Sequence, residues 1–222
     1  MLGCGESDGK LNRRDCLKLV EDTKNAITFM QSLDAVEPGQ ICLIGSSFGA
    51  AVAVYTAGVD ERVTAAISSG GWGDGERKFR GQHIGEKAWI SFTDMMDLGR
   101  KHRADTGKAL MVPRYDIVPI PEHLRPNLAA GSVMMFPADT AISMYEFKAD
   151  DLVGNISPRP LLLLHSANDS VTPTEQSIEM FKRAGQPAEL HLIADVDHFM
   201  FGEGNQRVIS ILKEWLSKYF PV

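Results

Sequence analysis

Several features are scarce in this sequence, and each scarcity narrows what the chain can be. No apolar stretch approaches the roughly 20 residues needed to cross a bilayer. Lys and Arg are outnumbered by Asp and Glu, giving a net charge of −6 over 222 residues. A nucleic-acid or anionic-membrane surface needs clustered basic residues, so neither partner is expected. Cysteine is limited to Cys4, Cys16 and Cys42, an odd number without metal-ligand spacing, so a reduced, cytoplasmic setting is expected. Met1-Leu2-Gly3-Cys4 hints at a lipoprotein box, but basic and apolar signal regions do not accompany it. The histidines and acids show no H-x-H or H-E-x-x-H pattern, and no Gly-rich phosphate loop follows a strand, so no metal and no cofactor is expected.

What is present alternates between two periodicities. Asp15 to Leu33 reads as an amphipathic helix, with Cys16, Leu17, Val20, Ile27, Phe29 and Met30 as its apolar residues. Gln40 to Ser46 is a short apolar run between Pro38-Gly39 and a Gly-Ser pair. It reads as a strand buried on both faces, with Cys42 inside the core. Phe48 to Ala57 is rich in Ala and Gly and reads as a helix packed on that strand. Val63–Ser69, Arg159–His165 and Glu189–Ala194 read as further buried strands, with helices over Thr174–Ala184 and Asn205–Phe220. This alternation predicts an α/β fold, a doubly wound and mostly parallel sheet. From Asp74 to Asp139 the rhythm breaks into a Pro-containing stretch with helical signals around Lys87 to Lys101. An insertion this long is expected to be a cap rather than a loop. The expected division is therefore a core of residues 1–73 and 140–222, with a cap or lid at 74–139.

Gly45-Ser46-Ser47-Phe48-Gly49 fits G-x-S-x-G and falls directly between a predicted strand and a predicted helix. A serine on so sharp a turn projects its hydroxyl into a cleft. Gly45 and Gly49 are expected to let strand and helix approach, and the Phe48 N–H to face a developing oxyanion. A serine hydroxyl needs a base, and His198, in the loop after the last strand, sits where a parallel sheet gathers functional groups. His165 and His191 lie in strands and read as structural. His83, His102 and His123 fall in the cap and read as solvated. The orienting acid should lie between nucleophile and base, which favours Asp169, after the third strand, over Asp74 and over Asp197, whose side chain should point away from its neighbour.

These motifs resemble a known superfamily. GSSFGA, LLLLHSANDSVTP and DVDHF are similar to α/β-hydrolases of the dienelactone hydrolase and prolyl-oligopeptidase-related kind. Gly71-Trp72-Gly73-Asp74-Gly75-Glu76-Arg77 is similar to a bacterial and fungal subgroup that includes esterase-like hydrolases and polyketide acyltransferases. The resemblance implies ester cleavage, or less directly amide cleavage, of a small-molecule substrate through an acyl-Ser47 intermediate. An acyltransferase with the same three residues, and a non-catalytic remnant or binding module, are the alternatives. Trp72, Phe48, Met95, Met96, Met134, Met135 and Phe136 are candidates to line the acyl pocket. Gly3-Cys4-Gly5-Glu6-Ser7-Asp8-Gly9 resembles the family's G-x-G-x-S-x-G segment, before which further strands are normally found. Without them, QICLIGS is expected to be an apolar sheet edge open to a homo-oligomeric or strand-completing partner. A second oxyanion donor would also be missing, at a cost of roughly 10²–10³-fold in rate.

Overall fold

A computed structural model of the protein describes residue 8, residues 15–202 and residues 205–221. The Gly3–Gly9 motif, Asp8 apart, and Cys4 lie outside the described residues. Helix α1 (Cys16–Gln31) opens the described fold, capped by the Asp15 carboxylate, which accepts from the Leu17 N–H. It buries Cys16, Leu19, Val20 and Ile27. Leu17, Phe29 and Met30, expected on its apolar face, are exposed: Leu17 and Phe29 fall off the stripe that a 3.6-residue period draws through 16, 20 and 27, and Met30 lies in the last turn of the helix. Strand β1 (Cys42–Ser46) leads into α2 (Phe48–Val59). Strand β2 (Ala65–Ser69) follows, buried throughout.

The stretch expected to be an insertion opens with α3 (Gly75–Gln82), whose Asp74 cap accepts from the Arg77 N–H. Helix α4 (Glu86–Thr106) runs for 21 residues and stops at Gly107, at φ +70°. Short strand β3 (Met111–Pro113), the single turn α5 (Arg114–Ile117) and strand β4 (Met135–Pro137) follow, β3 and β4 pairing antiparallel. Helix α6 (Ala138–Glu146) packs against α3 and α4. Gly99 of α4 allows the close approach: a Cβ there would come within 2.5 Å of the Ala138 Cβ. The expected boundary at residue 139 thus falls inside a helix that packs on the insertion.

The chain returns to the main sheet through β5 (Leu161–Ser166), α7 (Glu175–Arg183), β6 (Ala188–Ile193) and α8 (Gln206–Tyr219). The sheet order is β1-β2-β5-β6, every pair parallel, with Ile44 opposite Ile67 and Leu162 opposite both Ile67 and Glu189. Alternation along β2 and β5 feeds two cores. Ala66, Leu161 and Leu163 pack with α1, α2 and the insertion, while Ala65, Ile67, Leu162 and Leu164 pack with Val208 and Trp215 of α8. A parallel sheet covered on both faces is what continuous apolar strands require. Strand β1 is not buried on both faces: among the described residues it holds the sheet-edge position that the resemblance implies, with Ile44 55% exposed and Cys42 only half-buried. Among the described residues no helix is long and apolar enough to cross a membrane.

Candidate active site

Ser47 joins β1 to α2 with φ +53° and ψ −117°, a conformation costly for a residue with a side chain and tolerated where the surroundings enforce it. The surroundings do so here. The Ser47 N–H donates to the Ser69 carbonyl at 2.8 Å, and the Ser47 carbonyl accepts from the Ala50 N–H. Gly45 is indispensable to the turn, since a Cβ there would lie 2.2 Å from the Gly49 carbonyl oxygen. Gly49 is not: a Cβ on it meets nothing within 4 Å, because it points away from β1. Phe48 begins α2, so its N–H is among the four that find no acceptor within the helix.

The loops after β5 and β6 bring the other two residues to this turn. Ser47 Oγ lies 2.7 Å from His198 Nε2, and His198 Nδ1 lies 2.9 Å from Asp169 Oδ2. Asp169 is held by its own loop, its Oδ1 accepting from the Val171 N–H at 2.8 Å and the Thr172 N–H at 2.7 Å. Burial alone would raise the Asp169 pKa. Hydrogen bonds from His165 and His198 outweigh it and hold the carboxyl well below the usual carboxylate range. An ionised Asp169 only accepts, so Nδ1 of His198 carries the proton and Nε2 is left to accept from the Ser47 hydroxyl.

The other candidates separate cleanly. Asp197 accepts from the Ser170 N–H and hydroxyl and from the His198 backbone N–H, not from the imidazole. Asp74 caps α3 and pairs with Lys148 at 3.2 Å. His165 is fully buried, with Nδ1 at 2.6 Å from Ser177 Oγ and Nε2 at 3.0 Å from the Thr172 carbonyl. That Nε2 also lies 3.3 Å from Asp169 Oδ2, a contact strand position alone did not reveal. His191, in β6, faces Glu189. His123 is exposed, but His83 is half-buried and stacked on Phe92 at 4.3 Å, contrary to its expected solvation. Phe79 approaches the His83 ring, at 6.0 Å. Gly70, at φ +62°, was also missed: a Cβ there would lie 3.4 Å from the His198 ring.

A cavity of about 370 Å³ opens at Ser47 and His198. Phe48, Trp72 and Phe136 line it as expected, with Met144, Lys78 and Thr140. The four expected methionines do not line it. Met95 and Met96 pack in the core, and Met134 and Met135 are exposed, because neighbouring residues on a helix or strand point in different directions. A larger cavity of about 480 Å³ is lined by Asp15, Tyr55, Asp139 and Ser143. It has no histidine beside a hydroxyl, so it offers no comparable chemistry.

A parallel sheet clothed in helices, with a strained serine at a strand-to-helix turn, defines an α/β-hydrolase architecture. The chain belongs to the alpha/beta hydrolase family, whose profile matches residues 1–211. It is 24% identical over 226 residues to an uncharacterized 31.7 kDa protein in the traX-finO intergenic region of Escherichia coli, covering 98% of this chain and 78% of that one. It is 29% identical over 220 residues to the polyketide transferase grgF of Penicillium sp, covering 90% of this chain and 70% of that protein. The crystal structure of the alpha/beta hydrolase GrgF from Penicillium sp. sh18 superposes with a TM-score of 0.79 at 22% identity, covering 99% of this chain and 78% of that one.

Proposed function

We propose that the protein is a serine hydrolase that cleaves an ester through an acyl-Ser47 intermediate, with His198 as base and Asp169 as orienting acid. The 2.7 Å and 2.9 Å contacts along Ser47, His198 and Asp169 carry this reading. His198 Nε2 takes the Ser47 proton as Oγ attacks the ester carbonyl, and Asp169 stabilises the imidazolium formed. The Phe48 N–H faces the oxyanion. Collapse of that intermediate breaks the C–O bond, and the imidazolium protonates the departing alcohol. Water then attacks the acyl-Ser47 carbonyl, yielding its proton to His198. The free acid departs, and the proton returns to Ser47 Oγ. The insertion acts as a cap that shapes the acyl pocket. GSSFGA and the segments around Asp169 and His198 support placement with the dienelactone hydrolase and prolyl-oligopeptidase-related enzymes. The free thiols of Cys16 and Cys42 suit a cytoplasmic setting.

A fluorophosphonate probe tests the nucleophile. Labelling should be stoichiometric and vanish in Ser47→Ala. A folded wild-type protein that takes no label would instead fit a non-catalytic remnant. The relative named a polyketide transferase favours a second reading, in which an alcohol or amine replaces water in deacylation. Partition of the acyl group between water and an added alcohol separates the two.

A further inference from the structure

The cavity at Ser47 is charged in one sense. It is lined by two basic side chains, Lys78 and Arg114, and by no Asp or Glu, in a chain whose net charge is −6. Lys78 is 1% exposed. Its ammonium donates to Gln82 Oε1 at 2.9 Å and otherwise sits 3.8 Å from the centre of the Phe79 ring and 4.8 Å from that of Trp72. One hydrogen bond and two ring faces are poor compensation for three N–H donors removed from water. Two further buried groups of the lining, Trp72 Nε1 and Thr140 Oγ1, have no hydrogen-bond partner among the described residues. Buried polar groups ordinarily find partners. Lysine, arginine and indole side chains offer only donors, so the ligand these groups suit supplies acceptors and negative charge.

We propose that the acyl pocket binds an acyl group bearing a second, free carboxylate, so that the substrates are half-esters of dicarboxylic acids, with Lys78 holding the anionic end. This rests on Ser47 being the nucleophile. Hydrolysis then converts half-ester and water into an alcohol and a dicarboxylate. A carboxylate reaching Lys78 replaces the water the ammonium lost with a charge-assisted hydrogen bond, while Trp72 and Phe136 cover the methylene chain between the two ends.

The test is the ratio of kcat/KM for mono-4-nitrophenyl succinate, glutarate and adipate to that for 4-nitrophenyl butyrate and hexanoate, corrected for spontaneous hydrolysis. The wild type should favour at least one half-ester by ~10-fold or more, and Lys78→Met should lower that ratio by roughly 10- to 100-fold. Should Lys78→Met not fold, wild-type protein answers alone: glutarate or adipate dianion should slow fluorophosphonate labelling, and the neutral diamides should not. A wild type that prefers the neutral esters, or equal slowing by diacid and diamide, overturns the proposal while leaving Ser47 as nucleophile. Hydrolysis that survives Ser47→Ala overturns the underlying reading instead.

Discussion

Gly45→Ala is the sharpest perturbation the elbow permits. The added Cβ would lie 2.2 Å from the Gly49 oxygen, 2.4 Å from the Gly49 carbonyl carbon and 2.6 Å from the Ala50 nitrogen. All three are backbone atoms of the first turn of α2, so no rotamer change relieves them. Cβ contacts essentially never fall below 3.0 Å, and α2 must therefore retreat from β1 by roughly 1 Å. Ser47 sits between the two elements. A retreat of that size carries its Oγ from 2.7 Å to beyond the ~3.2 Å reach of a productive hydrogen bond to His198 Nε2. Misplacement on this scale costs about 10²-fold in rate, and overpacking costs about 1–3 kcal/mol. For a chain this long that lowers Tm by roughly 2–12 °C. Fluorophosphonate labelling rates and thermal unfolding, read on the same preparation, report both effects. Gly49→Ala is the companion variant. It meets nothing within 4 Å, so its Tm should hold or rise, by up to ~1 kcal/mol of helix propensity. A Gly45→Ala protein that labels at the wild-type rate with an unchanged Tm would refute the steric account.

Asp169→Asn should lower kcat by up to about 10⁴-fold at high substrate concentration, with little change in fold by circular dichroism. Because the folded pKa of Asp169 lies below its unfolded value, the wild type's stability advantage over this variant should be complete above about pH 4 and shrink as pH falls further, in denaturant titrations. Lys78 behaves in the opposite sense: burial pushes it down to about 7, against an ordinary value near 10.4. The unfolded chain binds the extra proton between these limits, so Lys78→Met should stabilise most at or below pH 7, by several kcal/mol, and the gain should fade towards about pH 10. Urea titrations of both proteins at pH 6.5, 8.5 and 9.5 check this. His165→Ala opens a cavity and unpairs the Ser177 hydroxyl, and should cost about 2–4 kcal/mol in urea unfolding.

The core and the meeting of the three candidate residues were legible for related reasons. Apolar runs such as LLLLHS, bounded by turn residues, left strands as the natural reading, and the serine, acid and histidine each follow one. Their convergence is a property of parallel sheets, in which the C-terminal ends of all strands lie on one side. Within the insertion the helix around Lys87 to Lys101 was legible as part of α4, but its strands were not, because they are three residues long, end in proline and pair across 21 intervening residues. Lys78 was invisible for another reason. It lies in the strongly polar segment GERKFRGQ, and charged residues are almost never fully buried. Only the packing of α3 against α6, with the Trp72 and Phe79 rings beside the ammonium, encloses it. For Gly49, the G-x-S-x-G spacing promised a steric need that belongs to Gly45 alone.

Ser47, the proposed nucleophile, hangs from one of the two outer strands of the sheet. Among the described residues β1 is laddered on one side only, over five residues, to β2, and β6, ahead of His198, on one side over six residues to β5, whereas Asp169 follows β5, which is paired on both sides. Outer strands open at lower free energy than inner ones. On gradual heating, this protein should therefore stop turning over substrate before its helices melt, with amide exchange accelerating first along residues 42–46.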